Sequence, residues 1–196
     1  MLTRIGIYGG SFNPVHHGHL MVAAAALEEL RLDRLLIVPA ARSPFKPDSP
    51  LAPAPVRARL LRLAFAGWER CEIDLRELHR GGTSYTVDTL RELRAEHPDA
   101  ALFYLVGADH LPTLNQWREA DVLARLATFV IVPRPGMAEP AEAPSGFRLV
   151  RLRGHPIDLS ASEIRTRCAR GLPIHTLTPP AVAEAIREIG LYLDAT

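Results

Sequence analysis

Lysine is almost missing from this chain: of its 23 lysine and arginine residues, Lys46 alone is a lysine. The basic residues are answered by 22 acidic ones, for a net charge of +1. That balance excludes a broad nucleic-acid-binding face but leaves room for a local basic pocket. Cysteine is scarce as well. Cys71 and Cys168 stand far apart in the sequence, so neither a metal-type pair nor a disulfide framework is expected. No apolar run approaches the roughly 18 residues that a membrane span needs. The first residues lead directly into a strand pattern rather than a signal peptide. The expectation is a soluble cytoplasmic protein with neither nucleic-acid nor membrane partners. No internal repeat at solenoid spacing is present, and the Pro/Ala-rich stretches at 39–55 and 133–146 read as loops.

What the chain does have is apolar pattern, with 47% hydrophobic residues over 196 positions, enough for one substantial core. Arg4–Tyr8 is a short apolar run ended by Gly9-Gly10, the pattern of a buried parallel strand. A helix follows, with Leu20, Ala23, Ala24, Leu27 and Leu30 at helical spacing. Further strands are expected at Leu35–Val38, Cys71–Leu75, Ala101–Val106, Thr128–Val132 and, more weakly, Leu149–Leu152. Further helices are expected around Val56–Ala64, over Thr86–Ala95, from a capping box at Ser160–Glu163 to Gly171, and from Thr178-Pro179 to Gly190. This alternation predicts a single domain over 1–196 of the Rossmann-like, doubly wound α/β class, a parallel sheet with helices on both faces. The C-terminal part, about 158–196, is helical. Ligands of such sheets bind beyond the carboxyl ends of the strands. Gly9–His19, the loop after Pro39, and Gly107-Ala108-Asp109 all fall there.

The stretch Gly9–Leu20, GGSFNPVHHGHL, holds three of the eight histidines. Gly9-Gly10-Ser11 sits where strand turns to helix, so backbone amides can face an anion. It matches neither the dinucleotide pattern G-x-G-x-x-G nor the P-loop. His16 and His19 are three apart and share a helical face, whereas His17 points elsewhere. Two histidines are too few for a tetrahedral zinc site, and no other histidine pairs with carboxylates at ligand spacing, so no metal ligands are assigned. A histidine-rich turn with only capping roles stays open on this segment alone. At the other end, Asp158–Arg165 (DLSASEIR) offers a capped helix N-terminus, the Ser162 hydroxyl and the Arg165 guanidinium, a set suited to phosphate oxygens. Seen alone, a plain capping box beside an exposed arginine explains it as well.

Together these segments carry a resemblance. Gly9–His19 is similar to the nucleotidyltransferase signature G-x-F-D-P-x-H-x-G-H, and Ser160–Arg165 to its C-terminal I-S-S-T-x-I-R element. Gly82–Leu90 (GTSYTVDTL), Val106–Asp109 followed by Trp117, and Val132–Gly136 (VPRPG) resemble three elements of the bacterial nicotinate-nucleotide adenylyltransferases. The resemblance runs from about Arg4 to Leu193. The chain departs from the pattern at Asn13, where the signature has Asp, and at Phe45, where the family has His.

The resemblance implies adenylyl transfer from ATP to nicotinate mononucleotide, giving nicotinate adenine dinucleotide and pyrophosphate. His16, His19 and Arg165 would be catalytic, with Mg²⁺ carried by ATP. Gly9, Gly10, Ser11, Phe12, Gly107, Asp109, Ser162 and Ile164 would join them in binding ATP. Lys46, Tyr85, Thr86, Asp109, Trp117 and Arg134 would hold the mononucleotide. Lys46 and Arg134 would face its phosphate, Thr86 and nearby amides its carboxylate, and Trp117 its pyridinium ring. Each has a plainer reading: Trp117 as core, Thr86 as a cap, Asp109 as a turn residue. The polar neighbours Asn115, Gln116 and Arg118 favour a pocket wall for Trp117. Two alternatives are pantetheine-phosphate adenylyltransferase, which shares both end motifs, and a nucleotide-binding regulator without turnover. Whether the chain forms a homo-oligomer is not legible.

Overall fold

The computed structural model describes residues 2–45, 50–136, 144–155 and 157–193. Six strands form one sheet: β1 (Arg4–Gly10), β2 (Arg34–Pro39), β3 (Cys71–Ile73), β4 (Ala101–Gly107), β5 (Thr128–Val132) and β6 (Leu149–Arg151). Their spatial order is β3-β2-β1-β4-β5-β6, and every neighbouring pair is parallel. The chain therefore winds outward from β1 in one direction, returns, and winds outward from β4 in the other. The gap between the loops leaving β1 and β4 is where such a sheet opens a crevice.

Side chains alternate across this sheet, as the period of two requires. Ile5, Ile7, Leu36, Val38, Phe129 and Ile131 enter one apolar cluster, and Leu35, Ile37, Phe103, Leu105, Val130 and Val132 the other. The first cluster is roofed by α4 (Thr86–Glu96), a 3₁₀ helix (Ala108–Gln116) and α5 (Ala120–Leu126). The second is covered by α1 (His17–Glu29), α2 (Ala54–Ala64), α6 (Ala161–Ala169) and α7 (Pro180–Glu188). Gly6 lies on the crowded face of β1. A Cβ there would come within 2.5 Å of Leu32 Cδ1 and 2.7 Å of Leu35 Cδ1, so any larger residue would force these two leucine side chains to shift.

The doubly wound class and all six strands are as expected, with β3 two residues shorter. α1 begins at His17, three residues before the apolar stripe suggests, which places the histidine motif in its first turn. Three elements are additional: α3 (Arg76–Arg80), the 3₁₀ helix and α5. Pro112 forbids a regular α-helix over Ala108–Gln116, and Leu111 and Leu114, three apart, are both buried on one side. Among the described residues, no helix is long and apolar enough to cross a membrane.

Candidate active site

A cleft of about 690 Å³ opens beyond the carboxyl ends of β1, β4 and β5. It is bounded by the β1–α1 turn, the loop after β2, the start of α4, Trp117, the loop after β5 and the start of α6. Three helix N-termini reach its wall: Gly18 and His19 of α1, Thr86 of α4, and Ala161 and Ser162 of α6. Arg134 and Arg165 add two positive charges, and Glu77 is the one acidic side chain on the described wall. Unpaired amides, helix dipoles and guanidinium groups against one carboxylate make a site for a polyanion.

The β1–α1 turn is built to hold its histidines still. His16 is the N-cap of α1, and its backbone N–H donates to His19 Nδ1 at 3.2 Å. That bond makes Nδ1 of His19 the acceptor and leaves the proton on Nε2. The two rings lie 3.8 Å apart between centroids, and Phe12 packs on His19 at 4.9 Å. Burial, then the Arg134 and His17 charges, push His16 down to about 4; burial, then His16 and Arg134, push His19 well below its ordinary value. Both rings are therefore neutral near pH 7, each with one N–H to donate. Nδ1 of His16 is buried without a partner in the protein. His17 spends its backbone N–H on Leu177 O at 3.0 Å, away from the cleft, as its position between the other two predicts.

Asn13 resolves the first departure from the signature. Its Oδ1 accepts from Ala52 N–H at 3.0 Å and from the Tyr192 hydroxyl at 2.8 Å, while Nδ2 donates to Pro50 O at 3.0 Å. An amide N–H can only donate and a carbonyl can only accept, so the orientation of the Asn13 amide is determined. It clamps the loop before α2 and the C-terminal segment onto the β1–α1 turn. Its own carbonyl accepts from Arg165 NH1 at 2.8 Å, and Arg165 NH2 bonds Ser162 Oγ at 3.1 Å. Asn13→Asp would set a carboxylate oxygen against Pro50 O. We expect a loss of about 1–3 kcal/mol in urea unfolding, the scale of a buried polar group left without its partner; wild-type stability would contradict the clamp.

At the opposite end of the cleft, Trp117 meets Phe45 at 5.1 Å, His110 at 5.8 Å and Tyr104 at 6.3 Å between centroids. Thr86 Oγ1 donates to the Tyr104 hydroxyl at 3.1 Å, and Tyr104 lies directly under Gly9, where a Cβ would stand 3.0 Å from that oxygen. The Thr86 and Val87 amides at the start of α4 have no intrahelical acceptor and no side-chain cap, while Asp88 N–H bonds Tyr85 O at 3.1 Å.

Of the residues expected from sequence, Gly9, Gly10, Ser11, Phe12, His16, His19, Thr86, Gly107, Trp117, Arg134, Ser162 and Arg165 all line the cleft. Three do not. Ile164 is fully buried in the core, and its N–H already bonds Ser160 O at 3.3 Å. Tyr85 lies beneath the Arg118 guanidinium, 4.6 Å from its ring centre. Asp109 turns beside the wall toward Arg134 at 3.5 Å and His110 at 3.6 Å, so it answers part of the Arg134 charge. Lys46 lies outside the described residues. Sequence reasoning missed Glu77, Ser84, Tyr104, His110 and His155, all on the wall. Tyr104 alone had a usable signal, a polar hydroxyl in an otherwise apolar strand.

A Rossmann-like sheet with a histidine pair and an arginine around a polyanion cleft defines a nucleotidyltransferase. The model of the cytidylyltransferase-like family matches residues 7–167. A protein of Opitutus terrae named "Probable nicotinate-nucleotide adenylyltransferase" is 42% identical over 96% of this chain and 97% of its own length. A protein of the same name from Chromobacterium violaceum is 39% identical over 98% of this chain and the whole of its own. The chain belongs to the nicotinate-nucleotide adenylyltransferase family. In fold it matches the nicotinic acid mononucleotide adenylyltransferase of Plasmodium falciparum complexed with NaAD, with a TM-score of 0.82, 20% identity and 97% of each chain covered.

Proposed function

We infer that this chain transfers the adenylyl group of ATP to nicotinate mononucleotide, releasing pyrophosphate and forming nicotinate adenine dinucleotide. Family membership supports the reaction. The observation that carries it to this site is the polarity of the cleft: phosphate-binding groups at the histidine end, an aromatic wall at the other.

The 5′-phosphate oxygen of the mononucleotide attacks the α-phosphorus of ATP in line, one P–O bond forming as the bond to pyrophosphate breaks. The nucleophile is already an oxyanion, so no protein nucleophile is required. Catalysis is positioning and charge stabilisation. Neutral His16 and His19 each donate an N–H to phosphate oxygens, and the starts of α1 and α6 add amides. Arg165, held by the Asn13 carbonyl and Ser162, meets the departing pyrophosphate. The Trp117 wall takes the pyridinium ring, and the unpaired amides of α4 receive its carboxylate. The Thr86 hydroxyl, already given to Tyr104, serves to fix that helix end.

Magnesium would enter with ATP as part of the substrate, offsetting the charge of its phosphates. The donors at the phosphate end are nitrogen and hydroxyl groups, and among the described residues no cluster of three or more His, Cys, Asp or Glu side chains could hold an ion by itself. A cytoplasmic setting belongs to the same reading and is supported by two free thiols, Cys71 and Cys168.

Pyrophosphate release from Mg–ATP tests the function. Nicotinate mononucleotide should support turnover, with nicotinamide mononucleotide poorer and phosphopantetheine inactive. Faster turnover with phosphopantetheine, or none with any acceptor, would overturn it.

A further inference from the structure

Arg57 is only 2% exposed, and the reaction described above gives it no task. It stands on the apolar stripe of α2, where Leu60, Leu61 and Ala64 follow it at i+3, i+4 and i+7 and are buried with it. Its neighbours Arg59 and Arg62 are exposed, as arginines of a surface helix usually are. Among the described residues no carboxylate pairs with Arg57, and its guanidinium serves two backbone carbonyls instead. Nε donates to Ala52 O at 3.1 Å and NH1 to Ser11 O at 2.8 Å. A buried cation is costly without such partners, so the fold keeps Arg57 and both carbonyls in one arrangement.

The Ser11 carbonyl belongs to the β1–α1 turn. Ser11 and Phe12 line the cleft whereas Arg57 does not, so the Ser11 carbonyl is turned away from the cleft. The Ser11–Phe12 peptide is trans, and in a trans peptide the C=O and the following N–H point in opposite directions. The Phe12 N–H is therefore turned toward the cleft, and it has no acceptor among the described residues. The backbone is strained at the same residue. Phe12 has a φ of 45°, a left-handed conformation that a bulky residue keeps only where its surroundings hold it. So placed, its ring lies against Gly10, where a Cβ would stand 3.2 Å from Phe12 Cε2, and it packs on Tyr8 at 5.5 Å and on His19 at 4.9 Å. Ala52 is gripped from both sides: Asn13 Oδ1 accepts its N–H, and Arg57 donates to its carbonyl.

We propose that Arg57 is a positioning residue for the triphosphate half of the cleft. By holding the Ser11 carbonyl behind the turn, it keeps the Phe12 N–H aimed at the phosphate oxygens of ATP, beside the His16 and His19 donors. Arg57 itself touches neither substrate. The inference rests on the reading that the histidine end receives the triphosphate.

Two measurements on the full chain test it, with wild type, Arg57→Met and Arg57→Lys. In the first, the amides of isotope-labelled phenylalanine are followed by NMR as α,β-methylene-ATP and Mg²⁺ are added. The Phe12 amide signal, assigned by its loss in Phe12→Leu, should move downfield in wild type, as an amide gaining a charged acceptor does. In Arg57→Met that movement should be lost. In the second, steady-state kinetics are measured with each substrate varied in turn. KM for ATP should rise about tenfold in Arg57→Met, the scale of one hydrogen bond to a charged group. KM for nicotinate mononucleotide should stay within about twofold. Arg57→Lys keeps a cationic donor for one of the two carbonyls and should show a smaller rise. An unchanged KM for ATP, equal rises in both KM values, or a Phe12 amide that answers the analogue alike in wild type and Arg57→Met would overturn the proposal. If Arg57→Met does not fold, as read from its melting transition, Arg57→Lys carries both predictions with smaller shifts. An analogue that moves the His16 and His19 ring signals of wild type but leaves the Phe12 amide in place would sink this inference alone. One that leaves all three in place would sink the placement of the triphosphate with it.

Discussion

Replacing His19 by alanine is expected to lower kcat by about 10²–10³, the loss that follows removal of one transition-state donor. The expectation follows from how the ring is held. His16 N–H occupies Nδ1 of His19, so Nε2 carries the proton whatever the substrate does. Phe12 on one side and His16 on the other prevent the ring from turning. A donor fixed in this way need not reorganise as charge moves onto the leaving pyrophosphate, which is why its removal should appear in kcat more than in KM. The alanine variant also leaves His16 N–H without its acceptor, so part of its effect is structural. His19→Asn separates the two contributions: an asparagine oxygen can accept the His16 N–H, keeping the cap. The asparagine variant should therefore recover stability in thermal unfolding while its kcat stays low. Wild-type turnover in either variant would remove His19 from the reaction.

The second large effect belongs to Trp117. Trp117→Ala should raise KM for nicotinate mononucleotide by roughly tenfold to a hundredfold, the value of a lost aromatic stack on a cationic ring. KM for ATP should move far less, because the triphosphate groups gather at the histidine end of the cleft. Trp117→Phe should fall between. The neighbourhood makes the effect specific. Trp117 is partly buried, edge-on to Tyr104 and Phe129, with Phe45 and His110 against it. Removing it exposes a gap in a wall rather than collapsing a core. Equal changes in the two KM values would mean that the ring is structural.

Much of this was legible in the sequence because strands and loops of a parallel sheet write their roles locally. Unbroken apolar runs such as Leu102–Val106 announce strands buried on both faces, and the residues just after β1 and β4 must then border the crevice. Local chemistry also carried the α6 start, where Ser160 Oγ accepts from Glu163 N–H at 3.1 Å as the capping box requires. What stayed hidden depends on contacts distant in sequence. Asn13 reads as a neutralised carboxylate until Pro50, Ala52 and Tyr192 are seen around it. Glu77 lies on a five-residue helix too short to leave a periodic pattern, and its partners become visible only when α4 packs beside it. Ile164 fits a phosphate motif by position, yet its side chain points to the core one helical face away from Arg165. Asp109 follows β4 as its place in the sequence suggests, but only the folded chain shows Arg134 3.5 Å from its carboxylate.

The structure of a complex with nicotinate adenine dinucleotide tests the central claim most directly, that one cleft seats phosphate at its histidine end and pyridine at its aromatic end. The bridging phosphates should lie within hydrogen-bond reach of His16, His19 and Arg165, and the pyridine ring should lie on Trp117 with its carboxylate at the amides of α4. A dinucleotide bound in the reverse sense, with pyridine beside His19, or bound outside this cleft, would contradict it.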